Sequence, residues 1–417
     1  MNHNNKWVTP ADILSAIVNL NQLVIEVTDT CNLNCTYCGF GDMYAGYDAR
    51  IGKNLNFEYV KILLDYLSQL WSTNMGRAQI PHTYISFYGG EPLMNMTLIK
   101  KTIQYIESKN VLRRFSFTMT TNATLLNKHI EYLVEKDFRL LISLDGDKSN
   151  NSYRITKNGL PSYETVLSNI RILMHKYPSY FKDNVNFNTV LHDRNSTDEI
   201  IPFMKSEFGK IPTISELNNS GIRLGKELDF SKIYRKRHDD ISKSKYYHQL
   251  MKRQYLDDPD TKDLLMYIYN YSGNVFRDYN HLLAGDSSQA VRPTDTCIPF
   301  SRKLFLTVNG KLLPCEKIDH TFYYGTIDKK GIHLDMEKSA QLFNEYLTKM
   351  RDLCAKCFRH QSCNQCIYFI EKNTDSRLKC NALASKQDFL RFKSTCLELL
   401  VKNPTLYRRI MKKVRVD

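Results

Sequence analysis

Apolar and polar positions along the first half of the chain follow two alternating periods. Leu23–Val27 is an apolar run of strand length, and Phe57–Trp71 carries Phe57, Val60, Leu64, Leu67 and Trp71 on one helical stripe. Thr83–Tyr88 then predicts a second strand, Leu98–Glu107 a helix, Arg114–Thr120 a third strand, Lys128–Lys136 a helix and Leu140–Leu144 a fourth strand. Tyr163–His175 predicts another helix and Asn184–Leu191 a fifth strand, and a sixth is expected to begin at Ile222–Leu224. Strand, helix, strand at this spacing means βαβ units and a parallel sheet, so the expected class is α/β.

In such sheets the chemistry collects at the carboxyl ends of the strands. Cys31–Cys38 follows the first strand, Gly89-Gly90-Glu91-Pro92 the second, Thr121-Asn122 the third and Asp145-Gly146 the fourth. Four polar or metal-binding motifs at one end of four successive strands mark a site. From about Asp229 to His281 the pattern changes to Lys, Arg, Asp and Tyr, as for exposed helices bridging two regions, and a cysteine-rich part begins near Thr294.

Composition sharpens this picture in two ways. The 417 residues carry a formal net charge of +14, which fits a lysine-rich solvated surface or attraction to an acidic partner. The one compact basic cluster is C-terminal: Arg408, Arg409, Lys412, Lys413 and Arg415. No apolar run approaches the ~20 residues that span a bilayer, and Met1–Thr9 has no hydrophobic signal region, so a cytoplasmic protein without a membrane partner is expected. The eleven cysteines are unevenly placed, three within Cys31–Cys38 and eight from Cys297 to Cys396. Disulfides are rare in the cytoplasm, and gaps of two and three residues point to metal.

The run Cys31-Asn-Leu-Asn-Cys35-Thr-Tyr-Cys38 sets three thiolates on one short loop. Soft thiolates suit zinc or an iron–sulfur cluster. Structural zinc needs a fourth ligand nearby, for which His82 is one candidate. A cubane on three cysteines leaves one iron free to chelate a substrate or cofactor. With Tyr37 before the last cysteine and the Gly-Gly-Glu-Pro turn after the next strand, the sequence resembles the radical S-adenosylmethionine (radical SAM) superfamily.

That resemblance implies a partial (β/α)6 TIM-like barrel, a [4Fe–4S] cluster on Cys31, Cys35 and Cys38, and S-adenosylmethionine bound at the free iron. Reductive cleavage of the sulfonium would give a 5′-deoxyadenosyl radical. Tyr37, Gly89, Gly90, Glu91, Asn122, Ser143 and Arg154 match the cofactor pocket. The glycines would let backbone approach the methionine amino group, and Arg154 would clamp its carboxylate.

The C-terminal third reads Cys297-x12-Gly310-x4-Cys315, then Cys354-x2-Cys357-x5-Cys363-x2-Cys366, then Cys380. The five-residue linker is short for a zinc ribbon. The pattern resembles the SPASM extension, with its last central gap two residues where three is usual. The resemblance implies two auxiliary [4Fe–4S] clusters, for three in all: an outer one on Cys354, Cys357, Cys363 and Cys380, and an inner one on Cys297, Cys315 and Cys366. The inner fourth position falls to Cys396, Asp295 or a substrate cysteine, because Ala290, Val291 and Arg292 stand where some relatives have an extra cysteine. The implied domains are a barrel (1–228), a bridging segment (229–293), a SPASM domain (294–400) and a basic tail (401–417).

SPASM enzymes mostly act on ribosomal peptides or proteins. The stretches Cys38–Tyr44, Ile85–Pro92 and Phe187–His192 look like peptide maturases whose precursors carry Cys-x-x-x repeats, which implies a thioether or carbon–carbon crosslink. The alternative is an anaerobic sulfatase maturase forming formylglycine. That group has Asp after the Gly-x4-Cys cysteine, acting as a base, where this chain has Glu316, the candidate catalytic base here. Outside this class stand a radical RNA-modifying enzyme, prompted by the charge but lacking a recognisable RNA-binding module, and a non-catalytic zinc module. About twenty residues precede the first strand, too few for a winged-helix leader-binding domain, so leader recognition is expected from the barrel edge, the middle segment or a separate protein. A flavodoxin or ferredoxin is the expected reductant.

Overall fold

The computed structural model describes residues 7–74, 76, 81–109, 113–254, 259–272, 275, 283, 294, 296–363, 365–372, 378–380 and 382–413. The chain divides into two units, one of Thr9–Ser244 with Cys297–Ala340, the other of Met1–Val8, Lys245–Thr296 and Gln341–Asp417.

The first unit opens with α1 (Pro10–Val18), started by a reciprocal capping box between Thr9 and Asp12. There follow β1 (Gln22–Thr28), α2 (Phe57–Thr73), β2 (His82–Gly89), α3 (Met96–Ser108), β3 (Arg114–Thr121), α4 (Ile130–Glu135) and β4 (Arg139–Ser143). The series continues with α5 (Tyr163–Lys176), α6 (Pro178–Asn184), β5 (Val185–Leu191), α7 (Thr197–Phe208) and β6 (Thr213–Glu216). β1 to β6 pair in sequence order, every pair parallel. This is the expected partial barrel of six parallel strands. The α2 stripe behaves as its spacing predicts, with Val60, Leu64, Leu67 and Trp71 buried and Phe57 half-buried.

Each strand has one apolar face, where Ile25, Ile85 and Phe87 are fully buried. The other face is polar: Gln22 donates to Ser86 Oγ (2.5 Å), which bonds Thr118 Oγ1 in turn (2.5 Å). Ser86 and Thr118 are register partners and Gln22 reaches Ser86 diagonally, so these polar groups satisfy one another within the sheet.

The sixth strand is not where the sequence suggested. Ile222 makes only an isolated bridge to Tyr44, and Gly221 and Gly225, at φ 70° and 86°, turn the chain on either side of Ile222–Leu224. β6 lies earlier, after the left-handed Gly209 that ends α7. Of its four residues only Ile214 is buried, too little apolar pattern to read.

Past β6 the unit adds α8 (Glu227–Ile233) and α9 (Arg237–Lys243). It then gains β7 (Lys303–Leu306), β8 (Lys311–Leu313), β9 (Gly325–Asp328) and β10 (Gly331–Leu334). β7 pairs parallel with the free edge of β1, and β8, β9 and β10 continue as an antiparallel meander, giving one ten-stranded sheet. The glycine of the Gly-x4-Cys element has a geometric reason: Gly310 sits at φ 78°, and a Cβ there would lie 2.2 Å from the Ile327 carbonyl oxygen. The stretch 303–334, read from sequence as the start of the SPASM domain, thus contributes four strands to the same sheet as the barrel.

The second unit contains α10 (Tyr247–Gln254), α11 (Pro259–Tyr271), most of α12 (Met336–Cys354), α13 (Lys386–Lys402) and α14 (Thr405–Lys413). Leu264 and Ile268 of α11, Phe392 and Cys396 of α13, and Leu406 and Ile410 of α14 form one apolar cluster. The segment read as a basic tail thus buries two side chains in this core. Arg359 lies over the Phe392 ring at 3.9 Å and pairs with Asp263 at 2.8 Å.

Because β7 completes β1, truncating its core should be felt by the whole barrel. Leu306→Ala removes a fully buried side chain and should cost about 2–5 kcal/mol. Urea unfolding followed by Trp71 fluorescence in a Trp7→Phe background checks this. An unmoved midpoint would mean that the meander melts separately.

Candidate active site

The cysteine loop leaves β1 and is held along its length by main-chain bonds. Asn34 and Thr36 N–H groups donate to the carbonyls of Ile155 (2.7 Å) and Tyr153 (3.2 Å), and Cys38 N–H donates to Cys35 (3.1 Å). Its start is tied to the turn after β2, where the Gly90 and Glu91 N–H groups donate to the Thr28 and Thr30 carbonyls, both at 2.9 Å. A Cβ on Gly89 would lie 2.1 Å from the Thr28 oxygen, and one on Gly90 2.1 Å from the Thr30 oxygen and 2.8 Å from Cys31 N. These glycines are required by the close approach of the cysteine loop's own backbone.

Glu91 is buried and accepts from Thr121 Oγ1 (2.6 Å), Asn122 N (2.8 Å) and Leu93 N (3.1 Å). Burial pushes its pKa up to about 7, against the lowering effect of those donors. Asn122 donates through Nδ2 to Asn32 (2.9 Å) and reaches Cys31 Sγ at 3.8 Å. Ser143 ends β4, half-buried and in register with Asn188 of β5.

The centre of the site is a residue to which the sequence assigned no role. Asp145 is fully buried and receives two bonds from Arg154, Nε to Oδ2 and Nη2 to Oδ1, both 2.9 Å. Val190 N–H donates to Oδ1 at 3.0 Å, and the Tyr37 hydroxyl donates to Oδ2. Burial by itself would raise the Asp145 pKa, but the Arg154 charge and the bonds from His192, Arg154 and Tyr37 overcome it and hold the carboxyl at about 2. The bidentate face of the Arg154 guanidinium is thus engaged within the protein. Tyr37 stacks on His192 (5.6 Å), which also meets Tyr153 edge-on (4.9 Å). In the sequence Tyr37 and Arg154 were given to the cofactor pocket, Asp145 was marked only by the Asp145-Gly146 turn at a strand end, and His192 only as the end of the Phe187–His192 stretch.

The loop's return limb is bound to the meander. Asp48 accepts from Lys311 Nζ (2.6 Å) and Asn309 Nδ2 (2.8 Å), beside the buried His320. Arg50 pairs with the buried Glu26 at 3.2 Å and lies 3.7 Å over the Phe40 ring. After β8 come Cys315 and Glu316, with Lys303 Nζ 2.6 Å from the Glu316 carboxylate. Burial acts to raise the Glu316 pKa, and the Lys303 charge and hydrogen bond more than offset it, leaving the carboxyl below its usual range. Burial also pushes the Tyr88 phenol well up, and the charges of Glu316 and Cys38 add to the effect. The barrel thereby brings the first cysteine cluster and Glu316 around shared tyrosines. His82 lies at the other end of β2, bonded to Ser116 at 3.0 Å.

In the second unit, Cys354, Cys357, Cys363 and Cys380 line one small pocket with His360, Met350 and Leu383. These are the four expected to act together in the outer set. Cys366 is not among the lining residues, and Cys297 and Cys315 belong to the barrel unit. Cys396 is buried in the apolar cluster of α11, α13 and α14, and Asp295 and residues 290–292 lie outside the described residues.

The donor chemistry of the three-cysteine loop and of the four-cysteine pocket fits iron–sulfur ligation. None of the eleven cysteines is in a disulfide. Burial pushes Cys35, Cys315 and Cys354 up to about 12, so proton loss there needs a bound cation. Backbone N–H groups donate to Cys31, Cys315, Cys357 and Cys363 sulfurs, each at 3.4 Å, the bonds that stabilise a ligating thiolate and tune a cluster. Among the described residues no three His, Cys, Asp or Glu side chains converge on a single-ion site.

Residues 25–206 match the family described as the radical SAM superfamily. An uncharacterised protein of Methanocaldococcus jannaschii is 31% identical over 236 residues, 53% of this chain and 77% of the relative. The chain belongs to the radical SAM superfamily. It is therefore an enzyme of the class that works with a [4Fe–4S] cluster and S-adenosylmethionine. A cysteine-type anaerobic sulfatase-maturating enzyme of Clostridium novyi is 24% identical over 340 residues, 79% of this chain and 80% of that one. The solved structure of anSMEcpe with bound AdoMet shares the fold at TM-score 0.61 and 19% identity, over 95% of this chain and 96% of the other. The cysteine-rich C-terminal part of this radical SAM protein fits a SPASM extension. No helix among the described residues is long and apolar enough to cross a membrane.

Two substitutions test the site's construction. Gly90→Ala should cost about 1–3 kcal/mol by overpacking and lower the iron bound at Cys31–Cys38, read by thermal unfolding and iron analysis. Asp145 has a depressed folded-state pKa, so its contribution is present above pH 3.8 and lost as pH falls through 2. Asp145→Asn should cost about 2 kcal/mol near neutrality, and the gap to the unsubstituted protein should close in acid. A gap independent of pH would remove the charge argument.

Proposed function

We propose that this radical SAM enzyme is a SPASM-type maturase that abstracts hydrogen from a side chain of a ribosomally made peptide or protein. The observation that carries the reading is the four-cysteine pocket of the second unit, found in a chain whose barrel carries the three-cysteine loop. In this reading Cys31, Cys35 and Cys38 hold the cluster that engages S-adenosylmethionine. Cys354, Cys357, Cys363 and Cys380 hold an outer auxiliary cluster, and Cys297, Cys315 and Cys366 an inner one. Bound at the first site, cluster and cofactor supply one-electron cleavage of the sulfonium and a carbon radical able to take hydrogen.

The protein's own residues shape and dry that site. Gly89, Gly90 and Glu91 fix the loop against β2, and Asn122 donates toward Cys31. Arg154 and Asp145 orient Tyr37 as a wall, and Ser143 closes the end of β4. Glu316, kept ionised by Lys303, is the group to accept the substrate proton. The product proposed is a thioether or carbon–carbon crosslink. A second reading, formylglycine formation from Cys or Ser, is favoured by the likeness to the Clostridium novyi enzyme along about four fifths of both chains. The partners proposed are the substrate peptide, a flavodoxin or ferredoxin, and a separate leader-binding protein, in an anaerobic cytoplasm.

Anaerobically reconstituted protein with dithionite should convert S-adenosylmethionine to 5′-deoxyadenosine. Cys31→Ala/Cys35→Ala/Cys38→Ala should abolish this and remove about four irons per chain. Unchanged turnover in that variant would refute the assignment. Mass spectrometry of peptides encoded beside the gene separates the products: a crosslink loses two hydrogens, whereas formylglycine from cysteine loses two hydrogens and also exchanges sulfur for oxygen.

A further inference from the structure

The four-cysteine pocket has an unusual rim. The Phe358 N–H donates to the Ala384 carbonyl at 3.0 Å, and the Ala384 N–H returns to Cys357 Sγ at 3.4 Å. This exchange fixes Phe358 and Leu383 beside the cysteines. Leu383 lines the pocket, yet it is 43% exposed and Phe358 48% exposed. Single exposed apolar side chains are ordinary. Here Leu383 lines a cysteine site and Phe358 directly follows its Cys357, and Lys356 and Lys386 flank them in sequence. Both lysines are exposed, and neither has an ion-pair partner among the described residues. The surrounding segment is basic overall: residues 341–417 hold sixteen Lys or Arg against seven Asp or Glu.

From this we infer that the Phe358–Leu383 rim, with Lys356 and Lys386, is the docking surface of a small acidic electron-carrier protein. The inference rests on the reading that Cys354, Cys357, Cys363 and Cys380 hold an iron–sulfur cluster. A carrier must bind, deliver and leave quickly, which favours a small interface below about 1,200 Å². A little apolar contact gives orientation, and unpaired surface lysines steer an acidic partner and speed encounter at low salt. One electron passes per encounter. The reduced carrier leaves one-electron oxidised, the protein's iron–sulfur centre is reduced by one electron, and no atoms are exchanged. An interface of this kind places the acceptor just behind the contact, as the pocket lies behind Leu383. Nucleic acid is the competing occupant of a basic face, but Phe358 and Leu383 present no phosphate-binding group to it.

The probe is a reduced flavodoxin, an acidic one-electron flavoprotein, mixed anaerobically with the holoenzyme. Calorimetry should show salt-sensitive binding, and stopped flow should show appearance of the flavin semiquinone. Lys356→Glu/Lys386→Glu should raise Kd about tenfold at low salt and slow semiquinone formation by a similar factor. Phe358→Ala should weaken binding without changing its salt dependence. In all three proteins 5′-deoxyadenosine formation driven by dithionite, which needs no docking, should be unchanged, and this also verifies folding. Unchanged Kd and electron-transfer rate in the charge-reversed variant would overturn the proposal, as would transfer RNA displacing flavodoxin by binding the same lysines. The cluster reading is tested separately by iron analysis of Cys380→Ala. Full iron there would overturn the electron's destination, whereas normal iron loss with unaltered flavodoxin binding in the lysine variant would overturn the docking surface alone.

Discussion

The site depends on two backbone segments lying against each other with no side chain between them. Thr28–Cys31 leaves β1, Gly89–Glu91 leaves β2, and the N–H groups of Gly90 and Glu91 close on the Thr28 and Thr30 carbonyls. Parallel strands normally part where their ladder ends. Here the ladder continues past the strands, so the first thiol of the cysteine loop starts from a fixed main-chain position. The cost of ordering the loop is borne by the sheet, which leaves less to be lost when a cofactor binds. Any side chain larger than hydrogen at Gly89 or Gly90 would push these segments apart.

Around that seam the protein sets two buried carboxyls to opposite ends of the pKa scale. Glu91 meets only dipoles, so burial wins and its carboxyl rises toward neutrality. Asp145 meets a guanidinium as well, and the charge wins. A buried ion pair is weak support for stability, because desolvation offsets most of its attraction. Its effect here is geometric. Arg154 and Asp145 together leave one orientation for the Tyr37 hydroxyl, and Tyr37 lies between two of the three clustered thiols in sequence.

What was legible in the sequence follows from which signals are local. The first five strands and their helices could be read because each repeats an apolar period over many residues, as α2 does. The sixth could not, because an edge strand with one buried residue has no period, whereas the glycine-flanked Ile222–Leu224 imitates one. The cysteine clusters were legible from spacing, and the four distal ones that the SPASM resemblance sets together share a pocket. The glycines were recognised as a turn where backbone approaches closely, but the backbone they meet, that of Thr28 and Thr30, was not legible. Asp145 and His192 were not legible as partners. They lie 47 residues apart and meet only because β4 and β5 are neighbours, and pairing between strands leaves no mark in a single sequence.

The parallel pairing of β1 with β7 joins residues such as Leu23 and Leu304, about 280 positions apart. During synthesis at roughly 5–20 residues per second, β1 therefore waits about 15–60 s with one edge unpaired. That edge belongs to the strand that leads into the first cysteine loop, and an unpaired apolar edge is a template for association with other chains. The Cys31–Cys38 loop is thus made long before the strand that closes the sheet beside it, which gives a cell reason to shield the nascent barrel until its last strands have been made.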